Sequence, residues 1–577
     1  MTRQFPATLV AALLGCSPAA PPPSGAGGAR PEETGGSGGT RSSTGGATGG
    51  GAAGTGGAPA AVDAAAADAP PAAPSGSCAQ IFGQGAPSAW VYYDASGKLA
   101  YKSIDERGDR IMDFSNAGYM GGGVALPRVP VAQMLQPSGG DDTAAIQAAI
   151  DAVSRRPLVN GLRGAVLLAP GQYKAAGTLA ITASGVVLRG SGSGEGGSEV
   201  AIVGSHLVLR VAGGGTRQAT GPAVSITDAF VPVGARSFSV AGGAAFKVGD
   251  AVLVNRPVTA AWRTFMGMDG FPRWLPAGSV QSWERTVAAV DGNEITLDVP
   301  VPDSLDGKYV TPPGASLQKY AWEGRISQVG IEALRFRAPK RGTAGSPAFL
   351  DMTNTVDSWV SDVEVWNTVE GLHFSPGCRR ITATRVRVLH DPSDSFTEAA
   401  PSEWTFNSSE VLVDRSASKG ALKIMMVTTL RALGPNVVLD FEGDGPRSHI
   451  QPHMYWATGL LVDRSVVNSE GTGLESAIAF LNRGHAGSDH GWALGWGVAW
   501  NCTAPGVLMQ KPPGSMAWAI GCKTVPSEPA PAVKTGDGPL MPPGIYESVN
   551  LPVAPSSLYL AQLCERLGPQ ALAAIGH

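Results

Sequence analysis

The residues best suited to chemistry concentrate late in the chain, between Pro452 and Cys522. His453 and Tyr455 lie two apart in PHMYWATG, and Arg483 and His490 follow in LNRGHAGSDHGW. Residues two apart in a strand project from one face, so the spacing predicts His453 and Tyr455 side by side. An imidazole changes charge near neutrality, and a guanidinium grips a carboxylate with two parallel hydrogen bonds. Together they suit removal of the C5 proton of a uronic acid. His453 or His490 is the base, Tyr455 the donor to the leaving oxygen, and Arg483 the cation that neutralises the carboxylate. Trp456, Asn482 and Trp492, with Lys423 further upstream, complete the set as substrate contacts. A packing reading competes with this one: Trp456, Trp492, Trp496 and Trp500 fill core, and His453 and Arg483 only fix loops. A second acidic cluster, Asp440-Phe441-Glu442-Gly443-Asp444, puts carboxylates on alternate positions. It suits Ca²⁺, the inverting pair of a glycoside hydrolase, or a solvated acidic turn.

The rest of the 577 residues must position these groups. Lys and Arg number 43 against 47 Asp and Glu, a formal charge of −4, which argues against a nucleic-acid partner because no basic excess exists to displace counterions. Residues 1–16 read as an export signal: Arg3 precedes an apolar run from Ala7 to Leu14 that is too short for a stable membrane span. The run ends in Leu13-Leu14-Gly15-Cys16, which resembles the lipobox of bacterial lipoproteins. That resemblance implies lipidation at Cys16, and Ser17 after it points to the outer membrane or cell surface. Residues 17–77 are Gly, Ala, Pro, Thr and Ser with almost no large apolar side chains, a tether with a reach of roughly 40 Å. Without Cys16, five cysteines remain, an odd number that cannot all pair. Cys502 and Cys522 are about one repeat apart, placed to stack as thiols or to join.

Residues 78–203 read as a cap followed by the first coils of a β-solenoid. GDDTAAIQAAIDAV places Ala145, Ile146, Ala149, Ile150 and Val153 on one helical stripe, with Asp141 or Asp142 at its N-terminus. Short β segments then alternate with Gly and Pro turns through Pro170-Gly171-Gln172-Tyr173 and Gly185-Val186-Val187-Leu188-Arg189-Gly190. Residues 204–320 interrupt the pattern with a small antiparallel β module, its hairpin turn at Asp291-Gly292, carrying Trp262, Trp274 and Trp283 as core or as sugar-stacking faces. Across 321–524, strands near Val363, Val386, Val411, Val437 and Val462 recur every 23 to 26 residues or so, one coil each. Residues 525–577 are Pro-rich and then helical, a tail expected at the end of the solenoid.

This opening, a helix, then a strand into Pro-Gly-x-Tyr, then Gly-Val-Val-Leu-Arg-Gly, resembles the pectate-lyase-like superfamily. The Trp-Ala-Thr-Gly, Asn-Arg-Gly, His-Gly-Trp and Trp-Asn-Cys elements resemble a bacterial branch of it, over most of Asp113 to Lys523. The resemblance implies an all-β, right-handed parallel β-helix with its first coil capped by the helix. It also implies a surface protein acting on an anionic polysaccharide, foremost a lyase, with a glycoside hydrolase or a non-catalytic glycan binder as the alternatives. Relatives of that branch carry an arginine where Tyr455 stands and an Arg-His-Asp run near Lys423-Ile424-Met425. Lys423 keeps the charge, but the polar pair beside it has become apolar.

Overall fold

Val438 and Val462 show how the chain builds its core. In the computed structural model the strands Leu433–Leu439 and Ala457–Asp463 pair in parallel and set Val438 beside Val462. The same register runs through Val360, Ala383, Val413, Val438, Val462, Ala499 and Ala519, one residue per coil. All are buried in one apolar column. Strand side chains alternate, so every second residue enters that column, where Val and Ala stack with no polar atom to satisfy. Parallel pairing of successive strands excludes hairpins and requires the chain to travel round between them. Three sheets wall the column, here sheet A (fourteen strands), sheet B (ten) and sheet C (nine), visited in that order in each coil. The architecture is a right-handed parallel β-helix. The structure describes residues 73–339, 347–391, 402–420, 425–428, 432–446, 448–469, 477–524 and 541–577. Cys16, Lys423 and nearly all of the tether lie outside them.

Helix Thr143–Ser154 covers the first coils with Ile146, Ala149, Ile150 and Val153 buried, whereas Ala145 is exposed. Asp141 accepts the Thr143 N–H at 3.0 Å. Asp142 turns instead to the N–H groups of Ser138 and Lys174.

The outer face of sheet A is also buried. Val437 lies on this opposite face next to Leu461, because Val438 holds the inward position in the register. Phe114 and the C-terminal helices Leu558–Leu567 and Gln570–Ala574 cover it. The tail therefore docks along the side of the solenoid and not on its end. A disulfide between Cys78 and Cys564 ties that helix to the first described one, Cys78–Phe82. Cys502 and Cys522 stack as free, buried thiols.

The interruption expected from 204 begins later. Leu207–Ala212 still pairs with Ala348–Thr353 in sheet C, and the antiparallel module starts at Gln218 and runs to Ala321. Its hairpin turns at Gly292-Asn293, since Asp291 and Glu294 are paired, and Gly292 takes the left-handed φ of 58° that the turn needs. Trp262, Trp274 and Trp283 are core, exposed by 3%, 0% and 1%.

Each coil has three turns, and two of them differ sharply. From sheet A to sheet B the chain bends through one left-handed residue per coil, including Asp362, Arg385, Arg415, Asp440 and Arg464. Charges one coil apart pair along this edge: Arg385 with Asp362 at 2.6 Å, Arg464 with Asp440 at 2.8 Å. From sheet C back to sheet A the turns vary widely, from the single residue Asn354 to the segment Leu481–Ala493, and the module is inserted in one of them.

Candidate functional site

Two of these long turns make the site. Gln451 to Trp456 joins the strand His449–Ile450 to Ala457–Asp463, and Leu481 to Ala493 joins Ala477–Phe480 to Leu494–Gly495. They are knitted by the Trp456 N–H on the Trp492 carbonyl at 3.0 Å and the Arg483 N–H on that of Gly491 at 2.7 Å. The module locks them from outside. Trp274 donates to the Trp492 carbonyl at 2.9 Å, Trp492 donates to that of Met266 at 3.2 Å, and Phe271 stacks on His485 at 4.3 Å. Gly491 is required there: a side chain would meet Met268 and Trp274 at under 3 Å, at a φ of 57°.

His453 and Tyr455 do not share a strand. They sit in irregular backbone, with Tyr455 and Trp456 both left-handed at φ 64° and 62°. Each such residue costs on the order of 1–3 kcal/mol, and strain of this kind collects at ligand sites. The rings meet all the same, through His490. His453 and His490 touch edge to face at 4.5 Å, and Tyr455 faces His490 at 6.4 Å. The Tyr455 hydroxyl donates to the Ser488 carbonyl at 2.9 Å and lies 2.8 Å from its Oγ.

Electrostatics single out Arg483. Burial pushes its guanidinium down to about 10, and no carboxylate contributes to the shift. Its Nη1 is buried without a hydrogen-bond partner, as is Nδ1 of His490. Burial, then the Arg483 charge, holds His453 down at about 3 and His490 at about 4, so both imidazoles are neutral at neutral pH. A cation taken largely out of water, with no counter-ion among the described residues, is costly, and an anionic ligand would reduce that cost.

The expected substrate contacts are placed differently. Trp492 is wholly enclosed, and Asn482 is 1% exposed with its Oδ1 taken by the Gly484 N–H, so neither offers a ligand a free face. Trp456 is also buried and donates to Asp303 at 2.9 Å, an anchor shared with Trp496. Lys423 lies outside the described residues. The acids Asp440, Glu442 and Asp444 do not gather: Asp440 pairs with Arg464, and Glu442 with Lys419 at 2.5 Å. Sequence reasoning missed Ser488 and Phe271, whose relevance depends on contacts between distant segments. It also missed Asp109, which burial pushes up to about 7.

No family model and no curated protein matches the chain. Among solved structures it is similar to the tailspike protein gp49 from Pseudomonas phage LKA1, at 14% identity over 66% of this chain with a TM-score of 0.33. The chain spans 63% of that tailspike's length. It is also similar to the A-module of the Azotobacter vinelandii mannuronan C-5 epimerase AlgE4 (11% identity, 76% of this chain, 97% of that one, TM-score 0.28). A third is the endo-xylogalacturonan hydrolase from Aspergillus tubingensis (12% identity, 73% and 92%, TM-score 0.31). These likenesses are remote and carry no argument about activity; the fold rests on the strand register itself.

Proposed function

We propose that this chain is a surface carbohydrate-active protein, lipid-anchored through Cys16, that cleaves a uronic-acid-containing polysaccharide by β-elimination. The observation that carries the reading is Arg483, a half-buried cation with no counter-ion among the described residues, set beside two neutral imidazoles. A uronate carboxylate bound there would supply the missing charge. It would also cancel the Arg483 field, the smaller part of what depresses His453 and His490 after burial, so the substrate itself makes its base more basic. The imidazole takes the C5 proton, the electron pair forms the C4–C5 double bond, and the C4–O bond breaks. The departing oxygen takes a proton from Tyr455, whose hydroxyl Ser488 holds in place, and the C5 proton leaves the imidazolium to restore the phenol through solvent. Digestion of pectin, alginate, glucuronan, glycosaminoglycans and bacterial exopolysaccharides tests this. A rise in ultraviolet absorbance from the unsaturated product is expected on one of them; new reducing ends without it mean hydrolysis, and binding alone means a non-catalytic protein.

One observation favours a hydrolytic reading. A 360 Å³ cavity, walled in part by stacked Phe265 and Tyr309, holds Asp109 and Asp306, both within reach of Arg107 at 3.9 and 3.0 Å. Asp109, raised to about 7, is the acid of such a pair, and the more exposed Asp306 its base.

A further inference from the structure

A second recess lies on the same flank, between the module and the sheet C to sheet A turns of earlier coils. It measures 760 Å³, within the range of small-ligand sites. Its floor is laid by the turns at Asn354, Gly377 and Asn407. The strands that lead into these turns pair in parallel, so the turns follow one another at strand spacing, about 4.8 Å. The recess is therefore elongated along the solenoid axis, the shape of a chain ligand.

Its charge is mixed: Glu284 lines it, and Arg325 and Arg217 both lie in that carboxylate's field. Trp322 is half-buried, its indole N–H spent on the Gly214 carbonyl at 3.1 Å, which fixes the ring. Arg325 lies 4.5 Å from the ring centroid and is itself paired with Glu284 at 2.6 Å. Arg217 lies 5.8 Å from the same ring, exposed and in no ion pair among the described residues. Deeper in the lining, Gln281 Nε2, Trp283 Nε1 and Ser408 Oγ are buried with no hydrogen-bond partner. Two of these can only donate. Native interiors keep few unpaired polar groups, and each one asks for a partner.

An exposed guanidinium in no ion pair among the described residues, beside a fixed indole on an elongated floor, calls for an elongated ligand bearing negative charge. We propose that this groove binds an acidic oligosaccharide, with Arg217 on its carboxylate or sulfate and Trp322 along a sugar face. The groove is a separate site from the Arg483 cluster: between them the module closes on the coils, with Arg285 donating to the Gly434 carbonyl at 3.2 Å. It does not rest on any activity at Arg483.

Calorimetric titration of the full chain with tetragalacturonate, tetramannuronate and a chondroitin sulfate tetrasaccharide, with cellotetraose as the neutral control, tests it. At least one acidic probe should bind, weaken with added salt, and exceed cellotetraose about tenfold. Arg217→Glu, a surface change that leaves the fold alone, should weaken that binding about tenfold, as should Trp322→Ala. Arg483→Met should leave the groove's binding in place while removing any cleavage, which separates failure of this proposal from failure of the lyase reading. No binding of any acidic probe, or binding that folded Arg217→Glu and Trp322→Ala proteins retain within twofold, overturns the groove. So does binding lost in Arg483→Met alone.

Discussion

Two of the three edges of the solenoid use arginine in opposite ways. On the edge from sheet A to sheet B, Arg385 and Arg464 each meet an aspartate from the preceding coil, and the turns are short and nearly identical. On the edge from sheet C to sheet A the turns are dissimilar, from the single residue Asn354 to the segment Leu481–Ala493, and Arg483 stands half-buried with no counter-ion among the described residues. The first edge repeats because repetition serves stacking. The second departs from the repeat, and an unpaired, half-buried charge on it is a cost that folding alone does not explain. Departure from periodicity, more than residue type, separates binding groups from scaffold.

The largest effects should come from the column that both edges enclose. Val438→Asp or Val462→Asp places an unpaired carboxylate among stacked apolar side chains and should cost several kcal/mol, read by denaturant unfolding. Val437→Asp should be costly for another reason, since it faces Phe114 and the C-terminal helices. In that variant those helices should loosen first, visible as faster amide exchange in Leu558–Leu567. Uniform loosening would contradict the two-faced sheet.

Proton uptake gives an effect of intermediate size. Folded His453 and His490 deprotonate near 3 and 4, against 6.5 when free, so the unfolded chain binds more protons between about pH 4 and 6.5. Stability from this pair rises with pH across that window. Asp109 and Asp463, which burial raises to about 7, hold protons in the folded state from 3.8 upward, so their contribution falls with pH. Two groups against two nearly cancel. Asp109→Asn with Asp463→Asn should therefore leave stability climbing from pH 4 to 6.5, by up to about 1.4 kcal/mol per unit for each histidine. A flat profile in that variant would mean the imidazoles are not suppressed.

The smallest effect separates the two edges directly. Arg464→Met breaks an ion pair and strands Asp440, and should lower the melting temperature by a few degrees. Arg483→Met removes an unpaired charge and should leave it unchanged or raise it. Equal losses would erase the distinction.

Much of the scaffold was legible because it is periodic. The capping helix showed in Ile146, Ile150 and Val153, and the coils in the recurring β segments. Facing was not: Val437 and Val462 look alike in sequence, and one residue of register decides which enters the column. The site was legible as a cluster of types, and His453, Tyr455 and His490 do meet. Its tryptophans misled because an indole that stacks on sugar and one that fills core are the same residue. The Cys78–Cys564 pair and the Trp322 groove join segments far apart in sequence, and no local pattern announces them.

The central claim is that Arg483 receives a substrate carboxylate. Turnover by ultraviolet absorbance, measured beside melting temperature on the same samples of parent and Arg483→Met, tests it most directly. Activity should fall about a hundredfold or more in a variant that melts no lower than the parent. Parental turnover in folded Arg483→Met, or a loss that only follows the unfolded fraction, would contradict it.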